Sequence, residues 1–371
     1  MIRQFSFSAP EHHSFPDNLI ECLDKLESFL HGNPVLGAIL FIDSKSDSDY
    51  FRKKHDIQVA LEQKKLSLPF NVQAQSYNSV VSIEIWVDEA ADSIEYLNFD
   101  NVRYTRVTSA FGKSIWGIGI ASALENIPLA DQIDFSFEKV RQILEIENMT
   151  LADIVRQWNY IPSILNIRHM GEKTLQHYQI FNEIRQKYYS ATEFKEGYPS
   201  ATGIGTRNGN YDLDFFAVKA SPSVQKFGLS NPKQQDAYKY DQVYLVGDTT
   251  SGQTKKTPLF ERAKLLKTEE ETMVFISGTA SIIGQETIGI GDICIQTEIT
   301  INNMHELIPN FNEQSIRFTY LRAYIKKVDD FRAVRSICEA RFPEATVSYL
   351  QADICRENLL VEIEGAAVVA S

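Results

Sequence analysis

The chain's most constraining feature is the order of elements between Leu259 and Glu364. Leu259–Leu266 and Met273–Ala280 read as a hairpin-like pair of strands, and Ile293–Leu307 as a helix. Arg317–Ile325 is a strand, Asp329–Ala340 a helix, and Thr346–Leu350 and Leu359–Glu364 close as strands. This ββαβαββ order, with helices to one side, specifies a split α+β sandwich. Its last strand, Val361-Glu-Ile-Glu364, puts Val361 and Ile363 on one face and Glu362 and Glu364 on the other, because strand side chains alternate. With the acidic face in water this would be an ordinary edge strand. With that face on a cavity, Glu362 becomes a carboxyl group of raised pKa, able to donate a proton.

At 371 residues the chain exceeds what one core usually serves, so more than one domain is expected. A hydrophobic content of 43% makes it globular, and a net charge of −12 argues against nucleic acid or an anionic membrane as partner. A small anionic substrate would therefore need arginines in its pocket. Cys22, Cys294, Cys338 and Cys355 are scattered without CxxC spacing, as in reduced cytoplasmic proteins. The seven histidines show no HxxxH or HExxH pattern, so no metal site is expected. No apolar run reaches the roughly 20 residues of a membrane helix. These features predict a soluble, cytoplasmic protein.

Residues 1–133 mix strands and short helices and read as an N-terminal α/β scaffold without a dense set of titratable groups. Residues 134–200 are expected to be a helical connecting segment. Within it Thr150–Trp158 has helical apolar spacing, and Tyr178, Asn182 and Arg185 share one helix face, usually a solvated one. Gly197–Gly205 lacks a GxGxxG frame, so its glycines more plausibly allow close backbone approach than a dinucleotide site. Residues 221–257 form a long polar loop region of the kind that becomes a lid or a surface insertion. Residues 201–371 then complete the C-terminal domain, on which the candidate polar groups converge.

Trp158-Asn-Tyr-Ile-Pro162, Tyr178-Gln-Ile-Phe-Asn182 with Arg185, Gly197–Gly205, Phe260-Glu-Arg262-Ala, Phe275–Ser281, Ala352–Arg356 and Val361–Gly365 form an ordered set. Together they resemble the chorismatase family. The resemblance implies an α+β fold like the RidA enamine/imine deaminases and small chorismate mutases: a mixed sheet with helices packed on one side, in two such halves joined by a helical connection. It implies chorismate as substrate and no cofactor. Arg262 and Arg322, with Arg185 third, would hold the two carboxylates, and Glu362 would protonate the enolpyruvyl methylene. Tyr178 and Tyr198 would be ring-side partners. Cys355, with the Gly278–Ala280 stretch, would set the product. Cysteine at position 355 goes with 3-hydroxybenzoate, with some 4-hydroxybenzoate, whereas Ala280 is compatible with hydrolysis to the dihydroxycyclohexadiene carboxylate. A RidA-like metabolite-binding protein or imine deaminase is the alternative of another class. Monomer and oligomer are equally compatible with these features.

Overall fold

The computed structural model describes residues 2–8, 14–77, 79–123, 127–170, 173–248, 254–269, 271–308 and 316–369. Three sheets, each carrying two helices, account for most of it. The first unit contains β1 (Ile2–Ser8), α1 (Phe15–Leu30), β2 (Val35–Ile42), α2 (Asp47–Gln63), β3 (Phe70–Gln73) and β4 (Val81–Asp88). The second contains β5 (Ser93–Phe99), β6 (Val102–Ser109), β7 (Gly112–Ala121), α3 (Leu129–Ile146) and β8 (Ile154–Pro162). After the short β9 (Ile167–Met170) and β10 (Lys173–Gln176) it continues with α4 (His177–Tyr189), β11 (Ser200–Thr206) and β12 (Asp212–Ala220).

The third unit begins with β13 (Gln225–Leu229). After β14 (Gly247–Asp248), which pairs with β10, come β15 (Ala263–Lys267) and β16 (Thr272–Ala280). The two-residue strands β17 (Ile282–Ile283) and β18 (Glu286–Thr287) precede α5 (Ile293–His305), β19 (Ile316–Ile325), α6 (Phe331–Arg341), β20 (Thr346–Gln351) and β21 (Val361–Val369).

The sheets share one topology. Their orders are β1-β4-β2-β3, then β5-β6-β7-β12-β8-β11, then β13-β15-β16-β21-β19-β20. In each, the unit's last strand lies antiparallel between the strand before the first helix and the strand between the helices, with a parallel edge strand beyond. The registers coincide residue by residue. Ser82 lies between Ser8 and Phe41, Asp212 between Ala121 and Tyr160, and Glu362 between Ala280 and Tyr324. Two residues on, Glu84, Asp214 and Glu364 oppose Ile39, Trp158 and Arg322.

Helices cover the outer face of each sheet, and the inner faces meet in one central core that holds Trp86, Trp116, Trp158, Phe216, Phe275 and Tyr320. Its aromatic contacts cross the units: Trp86 lies 5.3 Å from Trp116, 5.4 Å from Trp158 and 4.6 Å from Tyr320, ring centre to ring centre. Such pairs add about 0.5–1.5 kcal/mol each beyond the area they bury.

The mixed α+β layout is as expected, and the arrangement expected in two halves recurs in a third unit. The expected boundaries at 133/134 and 200/201 fall inside the middle sheet, which runs from Ser93 to Ala220. The segment between them is not a helical connection, because Ile154–Pro162 is a strand buried over nearly its whole length. Thr150 and Asp153 form a capping box there, on a single 3-10 turn, Leu151–Asp153. Among the described residues no helix is long and apolar enough to cross a membrane.

Candidate active site

The strand Val361–Val369 is no edge strand. It lies between β16 and β19 and is buried throughout, so both faces need partners. Glu364 finds them completely. Arg156 Nη2 donates to its Oε2 at 2.6 Å. Trp158 Nε1 at 2.8 Å, Tyr324 Oη at 3.1 Å and Arg322 Nη1 at 3.2 Å donate to Oε1, and the Thr202 hydroxyl adds a further bond. Paired and hydrogen-bonded in this way, a buried carboxylate can stay charged.

Glu362 lies two residues away on the same face without such a shell. Burial, reinforced by the charge of Glu364, raises its pKa to about 8, against the opposing influence of Arg156 and Arg262. A carboxyl group that is protonated at neutral pH and lines a cavity is equipped to act as an acid. Its place depends on Gly278. The pairing of β16 with β21 shifts register between Ile276 and Thr279, and a Cβ on Gly278 would stand 2.0 Å from Glu362 Oε1. Gly278→Ala is therefore expected to displace the carboxyl and lower kcat/KM at least tenfold with little change in the unfolding midpoint; steady-state kinetics beside thermal denaturation check it.

The cavity lies between the second and third units. Tyr178, Phe181 and Arg185 of α4 with Gly203 of β11 form one wall; Arg262, Gly278, Ala280, Cys355 and Glu362 form the other. Gly203 admits the Tyr178 ring, which would sit 2.9 Å from any Cβ there. Both arginines are buried. Arg185 donates to Asn182 Oδ1 at 2.8 Å, and Arg262 donates to the Tyr240 hydroxyl at 2.7 Å and to the Gln235 carbonyl at 2.5 Å. The Nε of each has no hydrogen-bond partner. Buried donors of this kind suit an anionic ligand. Cys355 faces the same space, its thiol pushed up to about 12 by burial and then by Glu362, and so neutral.

Tyr240, Tyr244 and Phe260, from the expected lid region and its edge, also line the cavity, whose free space is about 60 Å³. That is room for roughly four to six waters. Arg356 stacks on two of these rings, 5.3 Å from the Tyr240 ring centre and 5.5 Å from that of Tyr244.

Of the expected site residues, Glu362, Cys355, Arg262, Arg185, Tyr178, Gly278 and Ala280 come together here. Two do not. Arg322 lies outside the cavity, its guanidinium taken by Glu84 at 2.5 Å and Glu364 at 3.2 Å, because its strand faces the central core. Tyr198 packs among Tyr189, Phe194 and Tyr238 instead of lining the cavity. The helix face of Tyr178, Asn182 and Arg185 turns inward; Asn182 and Arg185 are fully buried. Arg156 and Thr202 were not singled out from the sequence, although polar residues amid an apolar strand were the available signal.

The sequence model described as "Chorismatase FkbO/Hyg5-like, N-terminal" matches residues 91–217, nearly the whole second unit. A 3-hydroxybenzoate synthase of Streptomyces hygroscopicus is 29% identical over 238 residues, covering 60% of this chain and 66% of that protein. A chorismatase of Streptomyces rapamycinicus is 32% identical over 233 residues, covering 59% of this chain and 65% of that protein. The matches thus span just under two thirds of the length of these relatives. A chorismatase crystal structure superposes with a TM-score of 0.71 at 23% identity, covering 100% of this chain and 99% of the other. The chain therefore has the chorismatase fold. Residues 91–217 match the FkbO/Hyg5-like chorismatase model, and the chain is similar in sequence to the named chorismatases over just under two thirds of their length.

Proposed function

We propose that the protein cleaves chorismate to pyruvate and a hydroxybenzoate, with 3-hydroxybenzoate the main product and 4-hydroxybenzoate a by-product, without a cofactor. The observation that carries this reading is Glu362, a cavity-facing carboxyl group raised to about 8 and flanked by two buried arginines with unpartnered Nε groups. Arg262 and Arg185 are suited to the substrate's two carboxylates. Glu362 donates its proton to the enolpyruvyl methylene, which becomes the methyl group of pyruvate, and positive charge develops at the ether carbon. Attack on that centre by the substrate's own hydroxyl transfers the bond; loss of pyruvate and a ring proton then gives the aromatic acid without net water, and the proton returns to Glu362.

Release of pyruvate from chorismate by the purified protein, well above the uncatalysed rate, is the test; release at the uncatalysed rate overturns the proposal. The second reading is hydrolysis, in which water captures the cation and the diene diol leaves. Ala280 opposite Glu362 supports it, since its small side chain leaves space for water. The neutral Cys355 thiol supports the first reading by filling space near the acid. Cys355→Ala is expected to raise the diene-diol fraction severalfold at unchanged pyruvate yield, measured by product-resolved chromatography. An unchanged ratio would remove Cys355 from this role.

A further inference from the structure

The three interfaces between units are equivalent in register but differ in content. At the described cavity, α4 presents Phe181 and, four residues on, Arg185 toward Glu362. Between the first and second units, α2 presents Tyr50 and Lys54 in the same way. The register equivalent of Glu362 there is Asp212, which is sealed off: Lys54 Nζ stands 3.6 Å from Oδ1, and Gln73 donates to Oδ2 at 3.2 Å. Between the third and first units, α6 repeats the pattern with Phe331 and Arg335, but the equivalent residue is Ser82.

At this third interface a cleft of about 510 Å³ stands open. Tyr77 and Phe331, stacked 3.3 Å apart, form an aromatic wall, and Ser8, Ser82 and Ser348 offer hydroxyls. Arg332 and Arg335 supply positive charge at the rim. The carboxylate of Glu84 also lines the cleft and is paired through Oε2 with Arg322 at 2.5 Å. Arg335 Nε donates to Glu339 at 2.7 Å, but both side chains are more than half exposed, so sharing that arginine with a ligand costs little.

We propose that this cleft is a second ligand site, which binds a small aromatic monocarboxylate and leaves it unchanged. The cation of the catalytic interface is kept while its facing acid is replaced by a hydroxyl, which favours an anion and removes the proton donor. The aromatic wall selects a flat ring. This inference rests on the register and charges of the third interface and stands whether or not the protein acts on chorismate.

The test is a calorimetric titration of the full chain with benzoate. The Arg332→Ala/Arg335→Ala and Ser82→Glu variants alter exposed or half-buried positions away from the catalytic cavity. Each is expected to weaken one class of benzoate site at least tenfold while leaving pyruvate release from chorismate at the parent rate. Benzoate binding unchanged in either variant overturns the proposal, and loss in the arginine variant alone assigns the binding to the outer surface of α6. If pyruvate release is absent in every form, the functional reading fails while the benzoate comparison still decides this one.

Discussion

Glu362→Gln is expected to lower pyruvate release from chorismate by roughly 10²–10⁴-fold, the usual contribution of a positioned general acid, while the protein stays folded. The amide keeps the size and polarity of the carboxyl group, so packing against Gly278 is preserved and the transferable proton is lost. The pH profile separates this from a general loss of binding. With its pKa raised to about 8, mainly by burial, Glu362 holds its proton at neutral pH, and the wild-type rate should fall as pH rises through that value. The same shift bears on stability. The folded chain holds this proton more tightly than the unfolded chain, whose glutamate titrates near ~4.3. Its stabilising contribution is therefore complete below that value and is lost as pH rises through about 8. Glu362→Gln should remove this component from the pH dependence of urea unfolding. Retention of most activity with an unchanged profile would move the proton donor elsewhere, Glu364 being next, although its oxygens are already engaged by five hydrogen-bonding partners.

How far the site was legible depended on what a period can show. The strand from Val361, the hairpin of β15 and β16, and the helices α5 and α6 carry local patterns and sit close to where those patterns put them. The stretch from Ile154 to Trp158 fits a helical spacing, yet it is a strand, because both faces are buried and a strand so placed loses its alternation. Burial likewise reverses the reading of α4. Polar residues at one helix face ordinarily meet water, but here they close a cavity against another unit, which no local pattern encodes. The threefold recurrence was hidden for a related reason. It is held by register and strand order, and of Ser82, Asp212 and Glu362 one position has lost the acid altogether.

Arg322 and Arg262 look alike in sequence, each a cation on or beside a strand, and the structure gives them opposite tasks. Arg322→Met is expected to lower the unfolding free energy by about 3–5 kcal/mol, the usual cost of removing one partner from a buried ion pair. Its guanidinium is fully buried and links Glu84 of the first unit to Glu364 of the third, while its Nη1 also reaches the Tyr160 hydroxyl of the second at 3.3 Å. Without it, Glu84 loses its ion-pair partner and Glu364 keeps Arg156 alone. Methionine fills similar volume, so the loss reports charge more than a void. Arg262→Met, by contrast, removes hydrogen bonds to the Tyr240 hydroxyl and the Gln235 carbonyl rather than a buried ion pair, so it should lower the denaturation midpoint less than Arg322→Met does and should raise KM for chorismate, since its Nε has no other partner. Urea unfolding of both variants beside their kinetics decides between the assignments. An Arg322→Met protein of parental stability that has lost substrate affinity would return Arg322 to the role of carboxylate clamp. A destabilised protein that still binds substrate would make it the electrostatic joint on which all three units close.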